Sequence, residues 1–319
     1  MEWVNNTIPM KQMIEKQLPG GRSLASTRAT INMKRWLESL APKANIQQQH
    51  VAALGCEKSN VVKNFLTTWS KFPKYVLREG IKDTCSTPEL FLNKRANFIK
   101  SYACLCIGGY ILGIGDRHLE NFLVSINSGC IYSIDFGIAF DSGIHTGIPE
   151  LIPFRLTSQI QDLVEPYSLK GHMRHALSAL RKNQSLILDT CQIFIKEPLL
   201  EWVKEAQHHN YTNDEHKEIL IHDQANFEKV EWYPQKKIDQ MKAKLEGKNS
   251  ALIMVSELAD STHREKDYYP MLKKALLDVS HINRKKVCLE VEEQVDFLIE
   301  HATDPNLLGR LWIGWSAYV

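Results

Sequence analysis

Three side chains near the middle of this chain are of the types that carry out phosphoryl transfer. Asp116 is followed five residues later by Asn121, and fourteen residues after that by Asp135. They lie in Gly113-Ile114-Gly115-Asp116-Arg117-His118-Leu119-Glu120-Asn121 and Ile134-Asp135-Phe136-Gly137. One carboxylate to orient and deprotonate an attacking hydroxyl, plus an amide and a second carboxylate to hold magnesium against nucleotide phosphates, is what ATP-Mg chemistry requires. Magnesium is a hard cation that takes oxygen ligands, so Asn and Asp are suitable partners. An Asp-Phe-Gly tripeptide alone arises by chance; the three residues in this order and spacing are a specific signal.

The flanking sequence supplies elements to position them. Ser101–Gly115 holds no charged residue, and apolar pairs recur as Phe98/Ile99, Tyr102/Ala103, Cys106/Ile107 and Tyr110/Ile111. That spacing predicts a buried helix, with Thr87 and Pro88 as its cap and first position. Fifteen uncharged residues are too few to span a bilayer. Gly113 and Gly115 are expected to end the helix and expose Asp116. Phe122–Ile126 and Cys130–Ile134 read as two short strands around the turn Asn127-Ser128-Gly129. This hairpin returns Asp135 to Asn121.

The run Asp116-Arg117-His118 reverses the order found in ordinary protein kinases, where His precedes Arg-Asp. It resembles the phosphatidylinositol 3-kinase-related kinases. Pro149-Glu150-Leu151-Ile152-Pro153-Phe154-Arg155-Leu156-Thr157 is similar to the end of that family's activation segment. Ala302-Thr303-Asp304-Pro305-Asn306-Leu307-Leu308 through Gly314-Trp315 resembles its FATC tail. Glu2-Trp3, Lys196-Glu197-Pro198, Trp232-Tyr233-Pro234 and Asn306-Leu307-Leu308-Gly309-Arg310 look most like the branch that answers to broken DNA.

The resemblance implies a mainly α fold with a small β-hairpin: the C-terminal lobe of a protein-kinase-like (PI3/PI4-kinase type) fold with a helical tail. It implies ATP and Mg2+ as cofactors and protein Ser or Thr, followed by Gln, as substrate. Asp116 would be the catalytic base, His118 a group near the transferring phosphate, and Asn121 and Asp135 the metal ligands. Arg117 would anchor the loop to the activation segment. Glu2-Trp3-Val4 resembles the adenine hinge, with Trp3 and Val4 at one edge of the nucleotide and Leu123 and Ile134 as its floor. The implied setting is nuclear repair of double-strand breaks by end joining. A DNA-end-binding activator protein would be met through the parent chain, with no direct DNA contact by this chain and no membrane association.

Composition is that of an ordinary globular protein: 319 residues, 44% hydrophobic, 24% charged and a net charge of +2. Such a charge does not by itself argue for a nucleic-acid or membrane surface. Seven cysteines, with no C-x-x-C pair, read as reduced thiols. The chain divides into 1–205, the kinase lobe from the hinge onward; 206–286, a polar regulatory or linker region; and 287–319, the tail. In the middle part, His208, His209, His216 and His222 match no ligand spacing and read as a solvated face. Pro234–Glu246 predicts a charged amphipathic helix whose Lys236, Lys237, Lys242 and Lys244 face solvent, and Ser261–Asp267 a flexible loop. In the tail, Trp312, Trp315 and Tyr318 recur at intervals of three and are expected to dock on the core.

No phosphate-covering glycine loop or strand lysine precedes the catalytic loop. The resemblance therefore implies a C-terminal portion of a larger kinase, inactive by itself. Two other functions fit parts of the sequence. A phosphoinositide kinase shares the reversed loop but needs basic residues in its activation segment for an anionic headgroup. Ile138–Leu156 has only Arg155 and His145, opposed by Asp141 and Glu150. A non-catalytic interaction module is the other.

Overall fold

A computed structural model describes residues 4–164, 166–195, 224–279 and 286–316. The chain is mainly helical with one small sheet. Strand β1 (Thr7–Pro9) leads into helix α1 (Met10–Lys16). Helices α2 (Arg28–Leu40), α3 (Ile46–Leu54), α4 (Lys58–Trp69) and α5 (Val76–Lys82) follow, and then the long α6 (Pro88–Leu112). Strands β2 (Phe122–Ser125) and β3 (Ile131–Ser133) precede α7 (Ser158–Val164), α8 (Pro166–Lys182) and α9 (Gln184–Ile195). The last helices are α10 (Gln224–Leu245), α11 (Ser250–Ala259), α12 (Tyr269–Leu277), α13 (Val291–Thr303) and α14 (Pro305–Leu308).

Helix α6 forms as its sequence predicts. The Thr87 side chain accepts from the Leu90 amide, Pro88 opens the first turn, and Glu89 lies at the positive end of the helix dipole. The helix ends at Gly113, whose φ of 60° is left-handed and whose N–H caps Gly109 and Tyr110 carbonyls. Phe98, Tyr102, Ala103, Cys106, Ile107 and Tyr110 on one side of α6 form the centre of the main core, chiefly against α8. Burying each such large apolar side chain contributes roughly 1.5–3 kcal/mol before entropy is counted.

The sheet has three strands rather than the expected two. Strand β1 joins β2 antiparallel, with Thr7 opposite Ser125 and Pro9 opposite Leu123. Strand β2 pairs β3 with Phe122 opposite Ser133 and Val124 opposite Ile131. A three-residue edge strand ending in Pro gives almost no alternation signal, which is why only the hairpin is legible in the sequence.

A second core surrounds the activation segment. Ile144, Ile148, Leu151 and Ile152 pack with Leu258 of α11, Leu272 and Leu276 of α12, Phe297 of α13, and Leu311 and Trp315 of the tail. The segment is thus held between the helices of residues 250–277 and the C-terminal tail.

Two expectations for the polar region are corrected. Lys237 and Lys244 do not face solvent: they are 1% and 2% exposed, within hydrogen-bond reach of Glu257 and Asp141. Helical periodicity places both on the inner face of α10, and each charge is matched by a carboxylate that lies far off in sequence. Ser261–Asp267 is not a loose loop either. Thr262–Glu265 is a 3-10 turn opened by the Ser261 hydroxyl, and the buried His263 bridges Tyr268 and the Thr146 carbonyl. The four histidines 208, 209, 216 and 222 lie outside the described residues. All seven cysteines are free, as expected. Among the described residues, no helix is long and apolar enough to cross a membrane.

Candidate active site

The turn after α6 is tight. A Cβ on Gly115 would lie 2.5 Å from Ile138 Cγ2 and 2.6 Å from Glu150 Oε2, so only glycine fits this approach to the activation segment. The sharp reversal itself falls one residue later, on Asp116, at φ 50°. Asp135 is also left-handed, at φ 58°. Non-glycine residues held in this region cost on the order of 1 kcal/mol or more and cluster at functional sites.

Arg117 links the two acids. Its buried guanidinium donates to the Gly115 carbonyl at 2.6 Å, to the Ile134 carbonyl at 2.9 Å, and to Ser133 Oγ and the Asp135 carbonyl. These contacts tie the loop to the end of β3, where the activation segment begins. From the segment's far end, Arg155 reaches back to the Arg117 carbonyl. Asn121 is 5% exposed, and its side-chain N–H donates to the Asp116 carbonyl at 2.8 Å. Its own backbone carbonyl accepts from the Ile134 amide at 3.1 Å. The hairpin therefore returns Asp135 to Asn121.

Asp135 is exposed, and one of its carboxylate oxygens accepts from the Gly137 amide at 3.2 Å. His118 Nδ1 accepts from the Glu120 amide at 3.3 Å. The ring proton then belongs on Nε2, 3.8 Å from Asp116 Oδ2. Phe122 and Val124 enter the main core, so alternation turns the buried Leu123 to the other sheet face, beside Pro9 and Tyr132. Ile134 follows β3 at the Phe122 end, close to Asn121 and Asp135. Val4 is not brought beside them: register sets it off the Ser125 end of β2, where its carbonyl accepts from Thr7. Trp3 lies outside the described residues.

The donor set suits magnesium. Asn121 has spent its N–H on Asp116, which leaves its side-chain oxygen for a cation, and Asp135 keeps a second oxygen. Among the described residues, no group of three His, Cys, Asp or Glu could hold a metal. A cation here would take most of its oxygens from phosphate and water, as magnesium does.

Two residues near Asp116 were not expected to act on it. Glu150 accepts from the Asp116 amide at 2.9 Å. Burial pushes its carboxyl up to about 7, and the Asp116 charge adds to this, against the Asp116 amide and Arg117. In the sequence it stands out only as one acid of the segment. Trp315 of the tail donates its indole N–H to Asp116 Oδ1 at 3.2 Å. Its spacing with Trp312 announced docking but not the target. Two clefts meet at Asp116, bordered by Trp312 and Trp315. One, of about 590 Å³, is lined by Lys11, Lys34, His118 and Glu120; the other, of about 420 Å³, by Gln47, Ile138 and residues 146–150.

Comparison with known proteins identifies the family. Residues 1–204 match the family described as phosphatidylinositol 3- and 4-kinase, and residues 288–319 match the FATC domain. The DNA-dependent protein kinase catalytic subunit of Dictyostelium discoideum is 35% identical over 99% of this chain and 8% of its own length. That of Xenopus laevis is 34% identical over 100% of this chain and 8% of its own length. The serine-protein kinase ATM of Sus scrofa is 25% identical over 100% of this chain and 10% of its own length. The chain thus spans a small fraction of the curated relatives it matches. It belongs to the phosphatidylinositol 3- and 4-kinase family, as a kinase catalytic region of the phosphatidylinositol 3-kinase-related type with a FATC domain.

Proposed function

We propose that this chain supplies the catalytic residues of a serine/threonine protein kinase that transfers the γ-phosphate of ATP to Ser or Thr, with preference for those followed by Gln. The observation that carries the reading is the convergence of Asp116, Asn121 and Asp135 through Arg117 and the Asn121–Asp116 hydrogen bond. Asp116 takes the hydroxyl proton. Asn121 and Asp135 hold magnesium, which neutralises charge on the phosphates when bound. His118 lies within reach of Asp116 and faces the same cleft, where it supports the transferring phosphate. Leu123 and Ile134 form the apolar floor under the nucleotide; the hinge reading of Trp3 and Val4 rests on the family resemblance alone, since Val4 lies at the opposite end of β2. Residues 1–205 form the lobe, 206–286 a regulatory region and 287–319 the tail.

A protein acceptor is favoured over a phosphoinositide by Arg155. It is the only Lys or Arg of 138–156, it is 3% exposed, and it is engaged with the carbonyls of Arg117 and Ser316. No basic patch of the segment is left for a headgroup. Similarity to DNA-dependent protein kinase catalytic subunits supports a nuclear role in double-strand break repair by end joining, with a DNA-end-binding protein as activator. The test is phosphate transfer from labelled ATP by the full-length protein to a Ser-Gln peptide, a Ser-Ala peptide and phosphatidylinositol vesicles. Label in the Ser-Gln peptide supports the reading; label in the lipid alone overturns it.

A further inference from the structure

The tail reaches the reaction centre itself. Trp315 is 8% exposed and aims its indole N–H at Asp116 Oδ1. Three anchors hold that indole in place. Before it, the buried Arg310 guanidinium donates to the carbonyls of Ala53, Leu54 and Cys56 at the end of α3. Next to it, the Ile313 amide donates to His50 Nε2 at 3.2 Å, and the Trp312 ring lies 4.7 Å from the His50 ring. After it, Arg155 of the activation segment donates to the Ser316 carbonyl at 2.9 Å. A buried indole N–H needs an acceptor, and the acceptor here is the carboxylate of Asp116 itself.

We propose that Trp315 is a positioning residue for phosphoryl transfer: its N–H holds Oδ1 of Asp116 so that Oδ2 is presented to the acceptor hydroxyl. The inference rests on the kinase reading above, in which Asp116 is the base. In the step it serves, the hydroxyl proton passes to Asp116 Oδ2 as the hydroxyl oxygen forms its bond to the γ-phosphorus. The bond from that phosphorus to the bridging oxygen breaks, and its electron pair leaves with ADP. The groups around the Asp116 carboxylate are consistent with this division of its oxygens. His118 Nε2 lies on the Oδ2 side, while Glu150 engages the Asp116 backbone, and Arg117 engages backbone around the turn. Positioning dominates phosphoryl transfer, because little covalent chemistry is left to the protein.

The test is a double-mutant cycle in the full-length kinase. Trp315→Phe keeps a buried aromatic ring, though a smaller one, and deletes the N–H. It is expected to lower kcat about tenfold, as removal of one hydrogen bond to a charged group does, with KM for ATP changed by less than about twofold. In an Asp116→Asn background the same substitution should change the rate by less than about twofold, because the carboxylate it acts through is gone. A kcat within about twofold of wild type for Trp315→Phe overturns the proposal, as does an equal tenfold loss in both backgrounds, which marks a structural role. Should the Phe variant fail to fold, benzothienylalanine at position 315 keeps the bicyclic shape without the N–H, and the same two outcomes apply. Wild-type turnover by Asp116→Asn alone would instead overturn the base assignment on which the proposal rests.

Discussion

Lys244 of α10 places its ammonium 2.6 Å from Asp141 Oδ2 and 2.8 Å from Oδ1, and donates to the Tyr110 carbonyl at 2.8 Å. One buried cation thus joins α10, the end of α6 and the first turn of the activation segment. Burial lowers the Lys244 pKa, and Asp141 opposes that shift. Lys244→Ala is expected to cost about 3–5 kcal/mol, because Asp141 is left without its charge partner inside the protein. Lys244→Met combined with Asp141→Asn should recover much of the loss. Denaturant unfolding of the two variants checks this.

Arg310 makes a comparable bond set at the other side of the segment. It is 1% exposed, and its guanidinium is shared by the Ala53, Leu54 and Cys56 carbonyls at the end of α3 and by Asn306 Oδ1. A cation at a helix C-terminus also matches the helix dipole. Arg310→Met should destabilise the protein by roughly 3 kcal/mol or more, since several buried carbonyls lose their donors at once. Limited proteolysis should then cut the tail sooner than in wild type.

Two opposed proton linkages act on stability over overlapping pH ranges. Burial holds His50 and His301 at about 4, below the ordinary 6.5. The unfolded chain binds those protons first, so their contribution is present above 6.5 and is lost as pH falls toward 4. Glu150 has the opposite sign. With its carboxyl raised from 4.5 to about 7, the folded state holds the proton more tightly, and stability declines as pH rises from about 4.5 to 7. Two histidines outweigh one glutamate between about 4.5 and 6.5, so melting temperatures should rise with pH across that range and turn down only slightly between about 6.5 and 7. Glu150→Gln should steepen the rise, and His301→Gln should flatten it.

What could be read in the sequence was local. Thr87-Pro88, the apolar pairs of α6 and the Asn127-Ser128-Gly129 turn sit within a few residues of what they determine, and those elements form as expected. The match of Asn121 to Asp135 was also legible, because one hairpin closes it. Edge strand β1 was not, since its partner lies more than a hundred residues away and its three residues carry no alternation. Lys237 and Lys244 misled for the same reason: their partners, Glu257 and Asp141, are set by tertiary packing, so a charged helix read as a solvated one. Trp315 could be seen as a docking aromatic, but nothing in its spacing points to Asp116.

The metal-ligand assignment is tested most directly by Asp135→Ala in the full-length protein, measured as transfer of labelled γ-phosphate to a Ser-Gln peptide alongside the unfolding temperature. Asp135 is exposed, and among the described residues its side chain accepts one hydrogen bond, from the Gly137 amide, so the unfolding temperature should hold while transfer is abolished. Transfer retained at the wild-type rate by a folded Asp135→Ala protein would contradict the assignment of Asp116, Asn121 and Asp135 as one phosphoryl-transfer site.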